Sequence, residues 1–370
     1  MAECDVLIAG TGSLAEAALF AMATADAGRP IRIAIGGRNA DRCTWLTLAA
    51  NARAAAFSLP NYTSPTPIPW DDVGGLETLV KSLRPRVIIQ TASMQSPWAL
   101  VHNNAWAALV REGGYGLGTP FHTILTARLA RAVERAATPT TIINGAYPDV
   151  ANAMIRSAGI PSPLGFGNID IVAVAVAAQI GSRTPGDVRI IGQWEPHVAD
   201  FREPQEKRRN INPRAWLNGK EVPDFMTRFQ AIKFPPGSDD SLNQITGTTV
   251  VPMALALVSG RSYIGHAAGP FGYPGGYPVR IDSGNLALNL PDGITAEEAI
   301  AFNKKFEEME GLHLDEAARH MRLIGKSRSA MQKYDPALAD GYAVDSLEAL
   351  EQAVSRLETL RTKLLKQPGF

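Results

Sequence analysis

Residues 6–15 read VLIAGTGSLA and decide the fold of this chain. An apolar run typical of a strand enters a glycine-rich turn, and residues 16–23 leave the turn with the composition of a helix. This is the pattern G-x-G-x-x-A between a strand and a helix, which is typical of a dinucleotide-binding βαβ unit. We therefore predict an α/β fold with a Rossmann-type, doubly wound parallel sheet that binds a nucleotide cofactor. A tight turn without a ligand is the alternative.

Each small residue of this turn has a physical purpose in such a unit. Gly10 permits the tight turn, Gly12 lets the backbone approach a pyrophosphate, and Ala15 lets the helix pack closely on the strand. The start of the helix offers free N–H groups and a positive dipole end to the phosphates. The predicted cofactor contacts at this turn are Gly10, Thr11, Gly12, Ser13, Leu14 and Ala15.

The composition of the chain excludes several classes of function. Its 370 residues are 45% hydrophobic and 19% charged, as expected for a soluble globular protein. Lys plus Arg and Asp plus Glu number 36 each, so the net charge is zero, which argues against nucleic acid or an anionic membrane as partner. No apolar run reaches the roughly 18 residues of a membrane helix. The two cysteines, Cys4 and Cys43, have no metal-ligand spacing. We expect a cytoplasmic protein with no metal and a small-molecule substrate.

The second apolar run, residues 30–36, ends in Gly37, Arg38 and Asn39. An NAD enzyme places an acidic residue here, to bind the ribose 2′-hydroxyl. A guanidinium instead pairs with a 2′-phosphate and can stack on adenine. Arg38 and Asn39 are therefore predicted to bind NADP(H) in preference to NAD(H). The alternative for Arg38 is a solvated side chain after a strand.

Two further strands end in polar residues. Residues 87–90 form an apolar run followed by Thr91, Ala92, Ser93 and Gln95, and residues 140–143 lead into Asn144. Ligands of doubly wound sheets bind outside the carboxyl ends of the strands, so these five residues are predicted to contact the ribose and nicotinamide. A plain strand-to-helix turn with a capping serine is equally compatible with residues 91–95.

These motifs taken together resemble the saccharopine dehydrogenase-like reductases, which are similar in logic to opine dehydrogenases. The resemblance covers residues 5–155 and rests on segments 10–15, 36–39, 91–93, 114–115 and 144–152. It implies NAD(P)-dependent reduction of an imine. Two departures concern the substrate: Gly116-Leu117-Gly118 stands where the family usually has an acidic residue, and Pro148-Asp149 stands where it tends to have Pro-Gly.

The chain divides into three parts by its changes of composition. We predict a dinucleotide-binding domain over residues 1–155, a mixed and largely antiparallel substrate domain over 156–292, and C-terminal helices over 293–370. Within these, the β-branched run 169–180 predicts a strand, the proline-rich segment 57–72 an irregular excursion, and the Gly/aromatic segment 263–280 a functional loop. The leucine stripe of residues 345–366 predicts a helix that packs on the cofactor domain or on its twin in a homodimer.

Candidates for the chemistry are few, because a nicotinamide cofactor brings its own hydride and the protein supplies orientation and a proton. His266, Asp149 and Tyr147 are the predicted catalytic residues, with His122 a further possibility. A structural histidine and a helix cap are the alternatives for His266 and Asp149. The predicted substrate contacts are Tyr273, Tyr277 and Arg280, the arginine as a partner for a substrate carboxylate.

Three functions agree with these residues. The first is an NADP(H)-dependent oxidoreductase that reduces an imine, formed from an amine and a carbonyl compound, to a secondary amine. The second is an NAD(P)-dependent dehydrogenase acting on an alcohol or aldehyde. The third is a nucleotide-binding protein without catalysis.

Overall fold

A six-stranded parallel sheet organises the chain in the computed structural model, which describes residues 4–96, 102–237 and 239–369. The strand order is β3-β2-β1-β4-β5-β6, so the order reverses between β1 and β4. Such a reversal opens a crevice at the carboxyl ends of the two strands, where ligands bind. The strands are β1 (Val6–Ala9), β2 (Arg32–Gly37), β3 (Tyr62–Pro67), β4 (Val87–Gln90), β5 (Thr141–Asn144) and β6 (Leu164–Gly165). The predicted Rossmann-type sheet is confirmed.

Six helices connect and flank these strands. They are α1 (Ser13–Ala23), α2 (Ala40–Ala56), α3 (Val73–Leu83), α4 (Ala105–Gly113), α5 (Thr119–Ala136) and α6 (Pro148–Ser157). The sequence also predicts a helix over residues 99–111, and residues 99–101 of that prediction lie outside the described residues. Asn39 begins α2, because its side chain accepts a hydrogen bond from the Arg42 N–H. The sixth strand, β6, lies beyond residue 155, where the predicted cofactor domain ends.

Distant segments cover the two faces of the sheet. On one face α9 (Asn243–Ser259) packs on α1, so closely that a Cβ on Gly247 would lie 2.5 Å from the Ala18 nitrogen. On the other face α14 (Leu347–Leu364) lies on α5 and buries its leucine stripe within the chain. That burial favours the intramolecular interpretation of the stripe over the homodimer.

Among the residues that the structure describes, one helical stretch is long and apolar enough to cross a membrane. It is Asp240–Ser259, and 56% of its apolar window is buried inside the structure, mostly by the α9 packing on α1. The expectation that no apolar run has this length is therefore corrected for this stretch. A core helix passes the same test, and the cytoplasmic location stays a prediction.

The rest of the chain forms three small antiparallel sheets and short helices. The sheets are β7 (Val188–Ile191), β8 (Arg214–Leu217) and β9 (Lys220–Glu221); β10 (Tyr263–Ala268), β11 (Gly276–Asp282) and β12 (Asn285–Leu288); and β13 (Leu312–Asp315), β14 (His320–Leu323) and β15 (Tyr342–Ala343). The helices are α7 (Ile169–Gln179), α8 (Phe225–Arg228), α10 (Ala296–Lys304), α11 (Glu307–Glu310), α12 (Gly325–Gln332) and α13 (Pro336–Ala339).

Three local predictions were wrong. Residues 169–180 form helix α7 and not a strand, and the segment 57–72 contains edge strand β3. The segment 263–280 is mostly the hairpin of β10 and β11, with only a short turn between the two strands. Prolines are tolerated in β3 because it is an edge strand. Backbone N–H groups on its outer side have no neighbouring strand to bond, so a proline there removes no hydrogen bond of the sheet.

Candidate active site at the carboxyl ends of β1, β4 and β5

The glycine turn after β1 has the geometry that a pyrophosphate requires. Gly10 has φ +132°, and a Cβ there would lie 2.3 Å from the Thr91 Oγ1 atom. Gly12 has φ −77°, and a Cβ there would meet nothing within 4 Å. The space over Gly12, in front of the α1 N-terminus, is therefore open and fits a dinucleotide phosphate.

The other residues of the turn are fixed by their neighbours. Ala15 is fully buried, and the Leu14 side chain is half-buried. Ser13 Oγ accepts a hydrogen bond of 2.8 Å from Asn243 Nδ2. Thr11 packs so closely on Gly37 that a Cβ at position 37 would lie 2.7 Å from the threonine methyl group. The turn is therefore held from α9 as well as from β2.

Two arginines stand at the end of β2. Arg38 is exposed, and no carboxylate within the described parts of the chain pairs with it. Arg42 donates from Nε to the Thr11 carbonyl at 3.3 Å and forms an ion pair with Glu16. Arg38 is therefore the guanidinium that is free for a ligand, whereas Arg42, which sequence reasoning missed, holds the turn.

The residues after β4 line the opposite wall of the crevice. Thr91 Oγ1 donates to a carbonyl of β1 at 3.1 Å, and the Ala92 N–H donates to the side chain of Gln90. Ser93 and Gln95 are linked by a bond of 3.1 Å from the Gln95 N–H to the Ser93 hydroxyl. Thr91, Ala92, Ser93 and Gln95 therefore meet at one edge of the sheet.

Asn144 belongs to a buried chain of polar side chains between β4, β5 and α6. Its Oδ1 accepts from the Thr126 hydroxyl at 3.1 Å, and its Nδ2 donates to Asn152 Oδ1 at 3.0 Å. Thr126 in turn accepts from Gln90 Nε2 at 2.7 Å. The Asn144 amide is fully buried and engaged by protein groups, so the structure places it behind the crevice wall.

Two acidic side chains from distant segments, the buried Glu310 and the half-buried Glu195, meet Tyr147 and Asp149 at the start of α6. The Tyr147 hydroxyl donates a short hydrogen bond to Glu310 Oε2, and the Glu195 N–H donates to Glu310 Oε1 at 2.8 Å. Asp149 Oδ2 accepts from the Trp194 N–H at 3.0 Å. Tyr147 has φ +51°, a strained value for a bulky residue, and such strain is typical of functional sites. We call Tyr147, Asp149, Glu195 and Glu310 the acid cluster.

Burial changes the pKa values within the acid cluster. It raises the pKa of Glu310 to about 8, against the opposing effect of the Tyr147 hydroxyl and the Glu195 N–H. It raises the pKa of Asp149 to about 6. The Tyr147 pKa lies well above its usual value, first because of burial and then because of Glu310. Near neutral pH the cluster thus contains an acid, Glu310, that can hold a proton and release it.

Aromatic rings join the acid cluster to the wall after β4. Tyr115 stacks on His122 with ring centroids 4.9 Å apart and meets Tyr147 edge-on at 5.0 Å. Ser93 Oγ lies 2.8 Å from His122 Nδ1. Burial lowers the pKa of His122 to about 4, so its ring is neutral at pH 7. Ser93, from the wall after β4, is thus connected through His122 and Tyr115 to Tyr147 of the acid cluster.

The structure places the other predicted site residues in the substrate half, away from these hydrogen bonds. His266 is buried in β10, where its Nε2 accepts from the Ile190 N–H at 3.0 Å and its Nδ1 lies 3.6 Å from Asp170. The Tyr277 hydroxyl donates to the Pro274 carbonyl at 2.6 Å.

The remaining two lie at or near the surface of the same half. Arg280 is exposed beside Asp282, and the half-buried Tyr273 packs on Phe271. The structure therefore does not bring His266 and Arg280 to the acid cluster, whereas Tyr277 lies near enough to Asp149 for the carboxyl group to raise the Tyr277 pKa, after the larger effect of burial.

Glu310 predicts a dependence of stability on pH. A carboxyl whose pKa is raised by folding, here from 4.5 to about 8, binds more protons in the folded chain, so the free energy of unfolding falls as the pH rises through this range. Buried His122 and His197 act in the opposite direction below pH 6.5. We therefore expect Tm to fall between pH 6.5 and about 8, and Glu310→Gln to remove most of that slope.

Calorimetry at closely spaced pH values measures this effect. Glutamine can donate to Tyr147 and accept from the Glu195 N–H, so it imitates the protonated acid without titrating. Glu308→Gln, at an exposed position of the same helix, is the matched control and should keep the wild-type slope. A Glu310→Gln slope equal to that of the wild type would contradict the assignment.

Solved structures of other proteins share the fold of this chain, whereas its sequence matches none of the families compared. No protein-family model and no curated protein matches the chain. Malate dehydrogenase from Salinibacter ruber is similar in structure at 14% identity and a TM-score of 0.50, over 98% of this chain and 99% of that one. The Picrophilus torridus enzyme matches at 13% and 0.50, over 82% and 96%. The Cryptosporidium parvum malate dehydrogenase matches at 13% and 0.51, over 83% and 97%.

None of these three structures is a saccharopine dehydrogenase-like reductase, so they lend that resemblance no support. The matches cover nearly the whole length of all three structures. At such low identity the likeness concerns architecture and carries neither the substrate nor the catalytic residues across. What it establishes is that this chain shares the Rossmann-type α/β fold of these malate dehydrogenases.

Proposed function

We propose that this chain is an NADP(H)-dependent oxidoreductase that reduces a C=N bond to a secondary amine, or catalyses the reverse reaction. The observation that carries the proposal is the buried acid cluster at the carboxyl ends of β4 and β5, beside the predicted nicotinamide position. The cofactor supplies the hydride when bound. The protein must then supply a proton to the nitrogen and a place for a positively charged amine or iminium group.

The acid cluster meets both needs. The Tyr147 hydroxyl stays protonated and lies on Glu310, so a proton given by Tyr147 to the substrate nitrogen can be replaced from Glu310. The carboxyl group of Asp149 adds negative potential around the same place, and this stabilises a cation. Tyr147 is therefore the proposed proton donor, Glu310 its proton source, and Asp149 an electrostatic partner of the substrate nitrogen.

The charges next to the cluster favour an amine over a 2-hydroxy acid. A hydroxy acid brings a carboxylate and needs a free cation. Arg209 is already paired with Glu195 at 2.6 Å and with Asp200 at 2.7 Å. Arg202 donates to the carbonyl oxygens of Pro235 and Pro236. A substrate carboxylate would have to compete with these bonds, whereas a substrate cation would not.

NADPH consumption with a panel of carbonyl compounds, each with and without an amine, tests the reaction. We expect turnover only when a carbonyl compound and an amine are present together. Turnover of a carbonyl compound alone, or of 2-hydroxy acids with NADP⁺, would replace this proposal with the alcohol or aldehyde alternative. Tight NADPH binding without any turnover would support the catalytically silent alternative.

The cofactor preference rests on Arg38. Replacing Arg38 by alanine should weaken NADPH binding by about 10- to 100-fold, the effect of losing one charge-assisted contact to the 2′-phosphate, and change NADH binding little. Fluorescence titration with both nucleotides measures the two affinities. Arg84→Ala, after α3, is a control that should change neither. Equal losses for NADPH and NADH at position 38 would contradict the preference for the 2′-phosphate.

The location, the partners and the oligomeric state of the protein are also proposals. We propose a cytoplasmic enzyme that acts on a small molecule without nucleic acid or membrane, and that can form a homodimer. Because the leucine stripe of α14 is used inside the chain, a dimer would need another surface.

A further inference from the structure

Two buried nitrogen atoms in the candidate site lack hydrogen-bond partners within the described part of the chain: Gln95 Nε2 and His122 Nε2. Their residues are 1% and 2% exposed. The other end of each side chain is held, because Trp106 Nε1 donates to Gln95 Oε1 at 2.9 Å and Ser93 Oγ contacts His122 Nδ1 at 2.8 Å. The two free nitrogens therefore have defined directions. A protein that buries polar atoms in this way loses stability unless a ligand or a water completes them.

Both nitrogens face the same small space above Gly118. A Cβ at Gly118 would lie 2.9 Å from Gln95 Nε2 and 3.7 Å from His122 Nε2. Gly118 has φ −87°, which any residue can adopt, so the backbone conformation does not require glycine here. The absence of a side chain at this position keeps the space open. We call Gln95, Gly118 and His122 the cradle.

The hydrogen bonds around Ser93 determine what the cradle offers. The Ser93 hydroxyl accepts from the Gln95 N–H and has two carbonyl oxygens within reach, those of Gln95 at 3.0 Å and Phe121 at 3.2 Å. With the serine proton directed at a carbonyl, His122 Nδ1–H donates to Ser93, and Nε2 keeps its lone pair. The cradle then presents one donor, Gln95 Nε2, and one acceptor, His122 Nε2.

A hydroxyl group complements this pair. A hydroxyl can donate to His122 and accept from Gln95 with the same oxygen. A carboxylate cannot donate to His122, and an ammonium cannot accept from Gln95. The ring centroids of His122 and Tyr147 are 6.1 Å apart, so one small molecule can reach both the cradle and the acid cluster.

We propose that the cradle of Gln95, Gly118 and His122 binds a hydroxyl group of the substrate, so that the substrate is an amine that also carries a hydroxyl. This inference rests on the proposed function, because the acid cluster receives the nitrogen. Gln95 and His122 select the substrate by its hydroxyl, and the acid cluster acts on its nitrogen.

Binding of ethanolamine and n-propylamine to the NADP⁺-loaded protein tests the cradle, because the two amines differ in having a hydroxyl or a methyl group. Calorimetry should show ethanolamine bound at least about tenfold more tightly, as expected when a buried donor and acceptor are otherwise left unpaired. The ¹⁵N resonance of His122 Nε2 should move with ethanolamine and not with propylamine.

Gly118→Ala fills the cradle and should abolish the preference for ethanolamine. Gly74→Ala, in α3 and far from the cradle, is the matched control and should keep it. His122→Asn retains a group for Ser93 but none at the Nε2 position, and it should lose the preference even if Gly118→Ala does not fold.

Any of three results would overturn the proposed hydroxyl site. They are equal affinity of the wild type for the two amines, an unmoved His122 resonance, and binding of neither amine. NADPH titration of the same proteins separates the two proposals. Intact NADPH binding with no preference for ethanolamine refutes the hydroxyl site alone. Absent NADPH binding refutes the proposed function, while the His122 resonance in the unloaded protein still reports on the cradle.

Discussion

Gly12→Val should raise the Kd for NADPH by about 100-fold or more and leave Tm unchanged. Gly12 has φ −77° and ψ −177°, which valine can adopt, and an added Cβ meets nothing within 4 Å. The new side chain would therefore occupy the space above the start of α1 without disturbing the fold. Two factors of ten correspond to about 2.8 kcal/mol, the order expected for excluding a pyrophosphate from its backbone contacts.

Fluorescence titration and calorimetry measure the two quantities for Gly12→Val. Gly237→Val is the matched control, because a Cβ there also meets nothing within 4 Å, and it should preserve both values. Gly10→Ala is the contrasting variant: φ +132° and the contact with Thr91 should lower Tm as well as affinity. Unchanged NADPH binding in Gly12→Val would show that no nucleotide uses this turn.

Tyr147→Phe should lower kcat by about 10²- to 10⁴-fold, the usual contribution of one general acid, and leave the Kd for NADPH unchanged. Phenylalanine keeps the edge-on contact with Tyr115 but removes the hydroxyl that lies on Glu310. That hydroxyl lowers the pKa of Glu310 from the still higher value that burial alone would give. The variant should therefore also shift the alkaline limb of its pH–rate profile to higher pH.

A second buried tyrosine serves as the control for Tyr147. The Tyr263 hydroxyl donates to the His266 carbonyl at 3.4 Å in β10, outside the candidate site. Tyr263→Phe should cost a little stability and leave kcat and the pH–rate profile as in the wild type. If Tyr147→Phe turned over at the wild-type rate, another group would have to donate the proton.

The cofactor half of the fold could be predicted from the sequence because its signals are local. The glycine turn lies between a strand and a helix within 18 residues, Val6–Ala23, and each central strand is a short apolar run. A helix cap and a hairpin turn could also be predicted from the sequence, because their signals are local too. Thr295 and Glu298 form the capping box that begins α10, and Asn218-Gly219 forms the hairpin turn between β8 and β9. In all of these the residues that interact are neighbours in the chain.

The errors arose where burial hides a local pattern. Helix α7 is buried along much of its length, so nearly every position is apolar and its β-branched residues imitate a strand. Strand β3 was missed because four of its six residues are Ser, Thr or Tyr and the other two are Pro. His266 was expected in a loop, but the chain around it pairs as a hairpin and its ring is used by Asp170 and Ile190.

The partners within the site could not be found in the sequence. Glu310 lies 163 residues after Tyr147, and Glu195 lies between them in a different part of the chain. Neither glutamate belongs to a motif, and among 36 acidic residues nothing local distinguishes them. Only the fold brings them to the end of β5. The neighbouring glutamates at positions 307 and 308 make the segment around Glu310 look solvent-exposed, so nothing in the sequence indicates that its carboxyl group is buried.

Helices α9 and α14, which come from the C-terminal half of the chain, cover the two faces of the central sheet and so tie the cofactor half to the rest of the protein. One core cluster joins residues of β1 and α1 to Val250 and Met253, and the other joins β4 and α5 to Leu350 and Leu357. A fragment that ended after β6 would expose apolar surface on both sides. We therefore expect the cofactor half to aggregate when it is expressed alone, and a chimera that receives it to need α9 and α14 as well.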